Sequence, residues 1–105
     1  MTPEGRVKNT IKKILKDYKV VYAMPATGGF GKSGVSDFLV CHRGYFISIE
    51  AKSGSSQPTA LQKKWLKEVA EAGGWGLVIN EDNMDEITDL FDSIDEVDDA
   101  ITRLH

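Results

Sequence analysis

The chain has 105 residues, 41% hydrophobic and 28% charged, with a formal net charge of −3 and one cysteine. That length holds one hydrophobic core and leaves no room for a second domain. The apolar runs fall far short of the roughly 20 residues of a membrane span, and Cys41 alone excludes an intrachain disulfide and a thiolate metal site.

The net charge conceals a division. Residues 1–80 hold twelve Lys/Arg against six Asp/Glu, or +6, and residues 81–105 hold one Arg against ten Asp/Glu, or −9. A basic body suits a polyanion, whose counterions are released on binding, although lysines also simply solvate helices. No signal-peptide apolar region opens the sequence, so a cytoplasmic protein is expected.

Thr2-Pro3 reads as an N-cap followed by proline at the first helical position, and Val7, Ile11, Ile14, Leu15 and Tyr18 recur at helical spacing. A helix is predicted over about 3–17. Lys19 to Met24 is strand-like and is stopped by Pro25, after which a Gly-rich loop fills 26–34. Ser36 to His42 and Tyr45 to Lys52 are two strands around an Arg43-Gly44 turn. Thr59 and Gln62 form a capping box ahead of a helix with Leu61, Trp65, Leu66 and Val69 as its apolar stripe, ended by Gly73-Gly74. Trp75 to Asn80 is a fourth strand. The order α-β-β-β-α-β predicts an α/β fold with a mixed central sheet flanked by helices.

Two cap signatures follow, Asn83 with Glu86 and Ser93 with Glu96, and predict two short helices. Ile87, Leu90, Ile94, Val97, Ile101 and Leu104 alternate spacings of three and four. Residues 1–80 are therefore expected to form the core, and 81–105 an acidic amphipathic helical extension of the same domain. That extension packs on its own core or forms a subunit interface. Cys41, Trp65 and Trp75 are expected in the core, and His42 and His105 on the surface.

The loop reading ATGGFGKS fits a relaxed phosphate-loop pattern. A phosphate loop must open a helix whose N-terminus faces the phosphates. The residues that follow, GVSDFLV, are β-rich instead, so nucleotide binding is not expected.

Chemistry concentrates in the hairpin. With Arg43-Gly44 as a two-residue turn, His42 faces Tyr45 and, counting outward, Asp37 faces Glu50. Opposed side chains share a face with β-carbons about 4.5–5.5 Å apart, and two opposed carboxylates call for a hard cation between them, Mg²⁺ or Mn²⁺. Alternation puts Lys52 on the side of both acids, where it can orient an attacking water or stabilise charge on a phosphate. A partly solvated ion-pair cluster is the other reading of the three. Glu4 lies along the apolar stripe of the first helix, turned toward this site or complementing the helix dipole. Gln62 is divided between capping its helix and pointing at the acids.

Gly34-Val35-Ser36-Asp37, twelve intervening residues, Glu50-Ala51-Lys52 and a helical Gln62 resemble the PD-(D/E)xK nuclease superfamily, specifically its small VRR-NUC domains, over most of the chain from Glu4 to Asn80. The resemblance implies a restriction-endonuclease-like fold. It implies that Asp37 and Glu50 bind Mg²⁺ with the Ala51 carbonyl, that Glu4 matches the family's helical glutamate, that Lys52 serves the attacking water, and that Gln62 matches the family's glutamine. Ser36 departs from the proline usual before the Asp, and the acidic tail has no counterpart in the pattern.

Single-domain phage and bacterial members resemble homodimeric, structure-selective DNA endonucleases related to Holliday-junction resolvases. The expectation is thus a metal-dependent endonuclease of branched DNA with a role in DNA repair, in a bacterial or phage-infected cell. Lys32, Lys63 and Lys67 are the expected DNA contacts. A noncatalytic DNA-binding module with the same fold is the alternative.

Overall fold

The computed structural model describes residues 1–26 and 31–104. The elements in chain order are α1 (Pro3–Asp17), β1 (Val21–Ala23), β2 (Phe38–His42), β3 (Tyr45–Ala51), α2 (Ala60–Glu71), β4 (Trp75–Ile79) and α3 (Asp85–Leu104). The α-β-β-β-α-β order is the expected one, closed by a C-terminal helix.

Local chemistry explains the ends of these elements. The Thr2 hydroxyl accepts the N–H of Gly5 at 3.0 Å, which caps α1. Arg43 and Gly44 have φ of 50° and 86°, the two left-handed residues that a tight type I′ turn requires. The ladder then runs from His42↔Tyr45 to Phe38↔Ile49. At one edge β1 pairs antiparallel with β2, and at the other β4 runs parallel to β3. The sheet is mixed, in the order β1-β2-β3-β4.

Alternation along the hairpin sorts its two faces. On one, Phe38, Val40, Ile47 and Ile49 pack with Val7, Ile11 and Leu15 of α1 and with Ile87, Phe91 and Ile94 of α3. Each such side chain contributes about 1.5–3 kcal/mol on full burial. On the other, α2 covers β3 and β4, and the Trp65 indole N–H donates to the Ser48 hydroxyl at 2.8 Å.

Several expectations change. The acidic tail is one continuous 20-residue helix, not two short ones. Ser93 lies inside it between the buried Phe91 and Ile94, and burial of that face outweighs a local start signal. Cys41 is exposed, because it points to the α2 side of the sheet while α2 lies over β3 and β4. Its neighbour His42 points to the core and is only 7% exposed. Trp75 opens edge strand β4 and is 46% exposed, and Leu61 on α2 is 54% exposed, so neither belongs to the core. His105 lies outside the described residues.

The body holds α3 through polar contacts at the hairpin end. The Tyr18 hydroxyl donates to Asp92 at 2.7 Å, the His42 ring lies 2.7 Å from Asp95, and Arg43 donates to Asp98 at 2.6 Å. The hydrogen bond to Asp92 pushes the Tyr18 phenol up to about 12.

Candidate active site

At the opposite end of the hairpin, the strands carry their acids out of the ladder. Pairing stops at Phe38↔Ile49, so Asp37 lies just before β2 and is not a ladder partner of Glu50. Its Oδ2 instead accepts the backbone N–H of Ala51 at 2.8 Å. The expected cross-strand pair is thereby replaced by a carboxylate folded over the end of β3. The two acids remain close enough to couple.

Glu50 is only 3% exposed. Burial, first, and the negative charge of Asp37, second, raise its carboxyl to about 7, against the opposing pull of Lys52. The Lys52 ammonium lies 3.6 Å from Glu50 Oε1 on a side chain only 12% exposed. Gln62 donates its amide to the same oxygen at 3.1 Å. Glu50 Oε2 is buried with no hydrogen-bond partner among the described residues.

Both sequence readings of Gln62 hold at once. Its Oε1 accepts the N–H of Thr59 at 2.9 Å, completing the capping box of α2, while its Nε2 faces Glu50. This fixes the amide orientation, since a backbone N–H needs the oxygen and a carboxylate needs the nitrogen.

Glu4 reaches the pair through an intermediary. Lys8 lies 3.7 Å from Glu4 and 3.3 Å from Asp37. Partial burial works against its charge, but Asp37, Glu4 and Glu50 outweigh that and hold the ammonium above the usual lysine pKa. Sequence reasoning missed Lys8. The available signal was its position four residues after Glu4, beside the buried Val7 on the flank of the apolar stripe.

An orphaned buried carboxylate oxygen next to a second carboxylate fits a hard divalent cation, whose ligands are oxygens. Asp37 and Glu50 would hold it, with the Ala51 backbone adjacent. Among the described residues, no group of three or more His, Cys, Asp or Glu side chains converges on one ion site.

The expected DNA-contact lysines lie around α2. Lys32 pairs with Glu68 at 2.8 Å and sits 5.9 Å from the Trp65 ring centre. Lys67 pairs with Glu71 at 3.8 Å along the helix, and Lys63 is exposed with no ion pair among the described residues. Residues 27–30 of the phosphate-loop pattern lie outside the described residues. From residue 31 to β2 no helix forms, so the described part lacks the helix N-terminus that a nucleotide cradle uses.

Gly34 locks this segment to the site. Its φ is +81°, and a β-carbon there would stand 2.3 Å from the Leu61 carbonyl oxygen. Only glycine lets the chain lie against the first turn of α2 and then turn into Asp37.

No protein-family model matches the chain, and no curated protein matches it. Among solved structures it is similar to one described as a VRR_NUC domain, with a TM-score of 0.66 and 22% identity over 94% of this chain and 97% of that one. In its architecture, therefore, the chain has the fold of a VRR_NUC domain, a restriction-endonuclease-like mixed sheet between helices.

Proposed function

We propose that the protein is a Mg²⁺-dependent DNA endonuclease, with Mn²⁺ able to substitute, that hydrolyses phosphodiesters in branched DNA such as Holliday junctions and acts as a homodimer. One observation carries the reading: Glu50, buried beside Asp37, keeps one carboxylate oxygen without a partner. Two crowded acids with a free oxygen destabilise the fold, and a site that binds a cation offsets that cost. The nuclease domain named in the similar structure supports the same chemistry.

A divalent cation bound there supplies positive charge at the scissile phosphate. Asp37 and Glu50 would hold it, with the Ala51 carbonyl as a further oxygen donor, while Glu4 stands outside the pair and is joined to Asp37 through Lys8. Lys52, 3.6 Å from Glu50, orients the attacking water and balances charge developing on the phosphate. Gln62 and Lys52 both engage Glu50 Oε1, which leaves Oε2 for the ion. Lys8 balances Asp37. Lys32, Lys63 and Lys67 supply phosphate contacts on the α2 side.

The test incubates the protein and its Asp37→Asn and Glu50→Gln variants with four-way-junction and linear DNA, in Mg²⁺ or in chelator. Cleavage by wild type in Mg²⁺ alone, lost in both variants, is the expected result. Variants as active as wild type would remove the site assignment, and a junction cut no faster than linear DNA would remove the branched substrate. Binding without cleavage under any metal would favour the noncatalytic module. Sedimentation tests the homodimer: Val97, Ile101 and Leu104 on α3 are 50%, 49% and 84% exposed, and removal of 97–105 is expected to yield monomers.

A further inference from the structure

The lysines of α1 form a row that continues past Lys8, the one member that the proposed chemistry uses. Lys8, Lys12, Lys16 and Lys19 are spaced by four, four and three residues, which puts them along one flank of the helix at about 6 Å per step. The row starts at Lys8, 3.3 Å from Asp37, and ends beyond the helix C-terminus. There Lys12, Lys13, Lys16, Lys19, Val20 and Tyr22 line a groove of about 440 Å³ between α1 and edge strand β1. The lining has four lysines and no acid. Lys12, Lys13, Lys16 and Lys19 have no ion pair among the described residues, unlike Lys32 and Lys67, which pair with Glu68 and Glu71 of α2. The acidic helix α3 lies on the other flank of α1, where Tyr18 bonds Asp92.

A second observation is independent of charge. Lys19 has φ of 56°, a left-handed conformation that side chains rarely adopt. It closes α1 with Lys19 N–H to the Lys16 carbonyl at 3.1 Å and Val20 N–H to the Leu15 carbonyl at 3.3 Å, the double-bonded helix ending that favours glycine at this position. α2 ends on the same pattern, with Gly73 N–H to Ala70 and Gly74 N–H to Val69, and there the left-handed residue is glycine, φ 94°. Strain retained at a binding wall is a recurrent mark of function.

We propose that this α1–β1 groove is the track for a DNA strand leaving the active site. Its lysines meet successive backbone phosphates, and Val20 and Tyr22 form the floor beneath the sugars. The track deepens the endonuclease reading and rests on it for the identity of the polyanion. Lys8 joins the two, because it belongs to the row and touches Asp37.

The experiment measures binding of labelled junction DNA in chelator over a range of salt concentrations, and single-turnover cleavage in Mg²⁺, for wild type, Lys12→Ala/Lys16→Ala/Lys19→Ala and Lys19→Gly. The triple variant is expected to lose at least tenfold in affinity at low salt and about 2 to 3 from the slope of log affinity against log salt. Lys19→Gly is expected to raise Tm while weakening binding, opposite signs that a merely structural lysine would not give. Wild-type affinity and salt slope in the triple variant would overturn the track, whether or not the wild type cleaves. A wild type that binds through the groove but never cleaves would overturn the nuclease reading and leave the track.

Discussion

Gln62 donates its side-chain amide to Glu50 Oε1 at 3.1 Å while its oxygen caps α2 at Thr59. One residue therefore ties the start of a helix to a buried carboxylate. Gln62→Glu keeps a residue able to complete the capping box but places a third negative charge against Glu50. The expected result is unchanged helix content by circular dichroism with cleavage reduced about 10- to 100-fold, as for other groups that orient metal ligands. Gln62→Leu loses both bonds and is expected to cost about 1–3 kcal/mol in urea unfolding.

Glu50 makes stability depend on pH. Its folded pKa, about 7, lies above the 4.5 of a free glutamate side chain, so between those values the native state binds more protons than the unfolded state. Stability is then greatest near and below pH 4.5 as far as this group is concerned, falls as pH rises through 7, and levels off above, a change of roughly 3 kcal/mol. Thermal melts in chelator at pH 5 and pH 8 should show the decline, and Glu50→Gln should flatten it relative to wild type. Millimolar Mg²⁺ is expected to raise Tm at pH 8 more than at pH 5, since the ion binds the ionised carboxylate. A profile with the same slope in Glu50→Gln would show that Glu50 is not its source.

Gly34 is expected to tolerate no side chain. A β-carbon 2.3 Å from the Leu61 carbonyl meets backbone on a capped helix, at φ of +81°. Gly34→Ala must displace either the 31–37 segment or the first turn of α2, for a loss of at least about 2 kcal/mol in urea unfolding. Because the same segment delivers Asp37, whatever folded protein remains should also cleave more slowly. Full stability and activity in Gly34→Ala would contradict the close approach.

The hairpin end anchors the acidic helix through buried as well as exposed groups. The His42 ring packs against Phe91, with centroids 4.9 Å apart, and contacts Asp95 at 2.7 Å. His42→Phe keeps an aromatic ring but removes one of the two polar partners of Asp95, leaving Arg43 at 2.8 Å, an expected loss of about 1 kcal/mol. His42→Ala also empties the space beside Phe91 and should cost about 2–4 kcal/mol. Urea unfolding of the two variants separates packing from hydrogen bonding, and equal losses would show that packing contributes nothing.

By itself the sequence determined the elements and the register of the hairpin. Thr2 and Thr59 announce their helices through short-range capping, and Arg43-Gly44 aligns His42 with Tyr45 through turn geometry, interactions that span only a few residues. Counting from the same turn brought Glu50 and Lys52 to one side, 3.6 Å apart, but failed for Asp37, which lies before β2 and outside the ladder. Tertiary structure decided what covers each face and what happens where the ladder ends. α2 lies over β3 and β4, which leaves Cys41 exposed, whereas α3 covers His42 and buries it. The buried stripe of α3 continues past Ser93 from Phe91 to Ile94, so one helix replaces two. Asp37 lies outside the ladder, where its carboxylate accepts the N–H of Ala51, and Lys8 enters the site because α1 packs beside that carboxylate. Such contacts join residues far apart in the chain through packing, and packing is a property of the assembled layers that no local spacing contains.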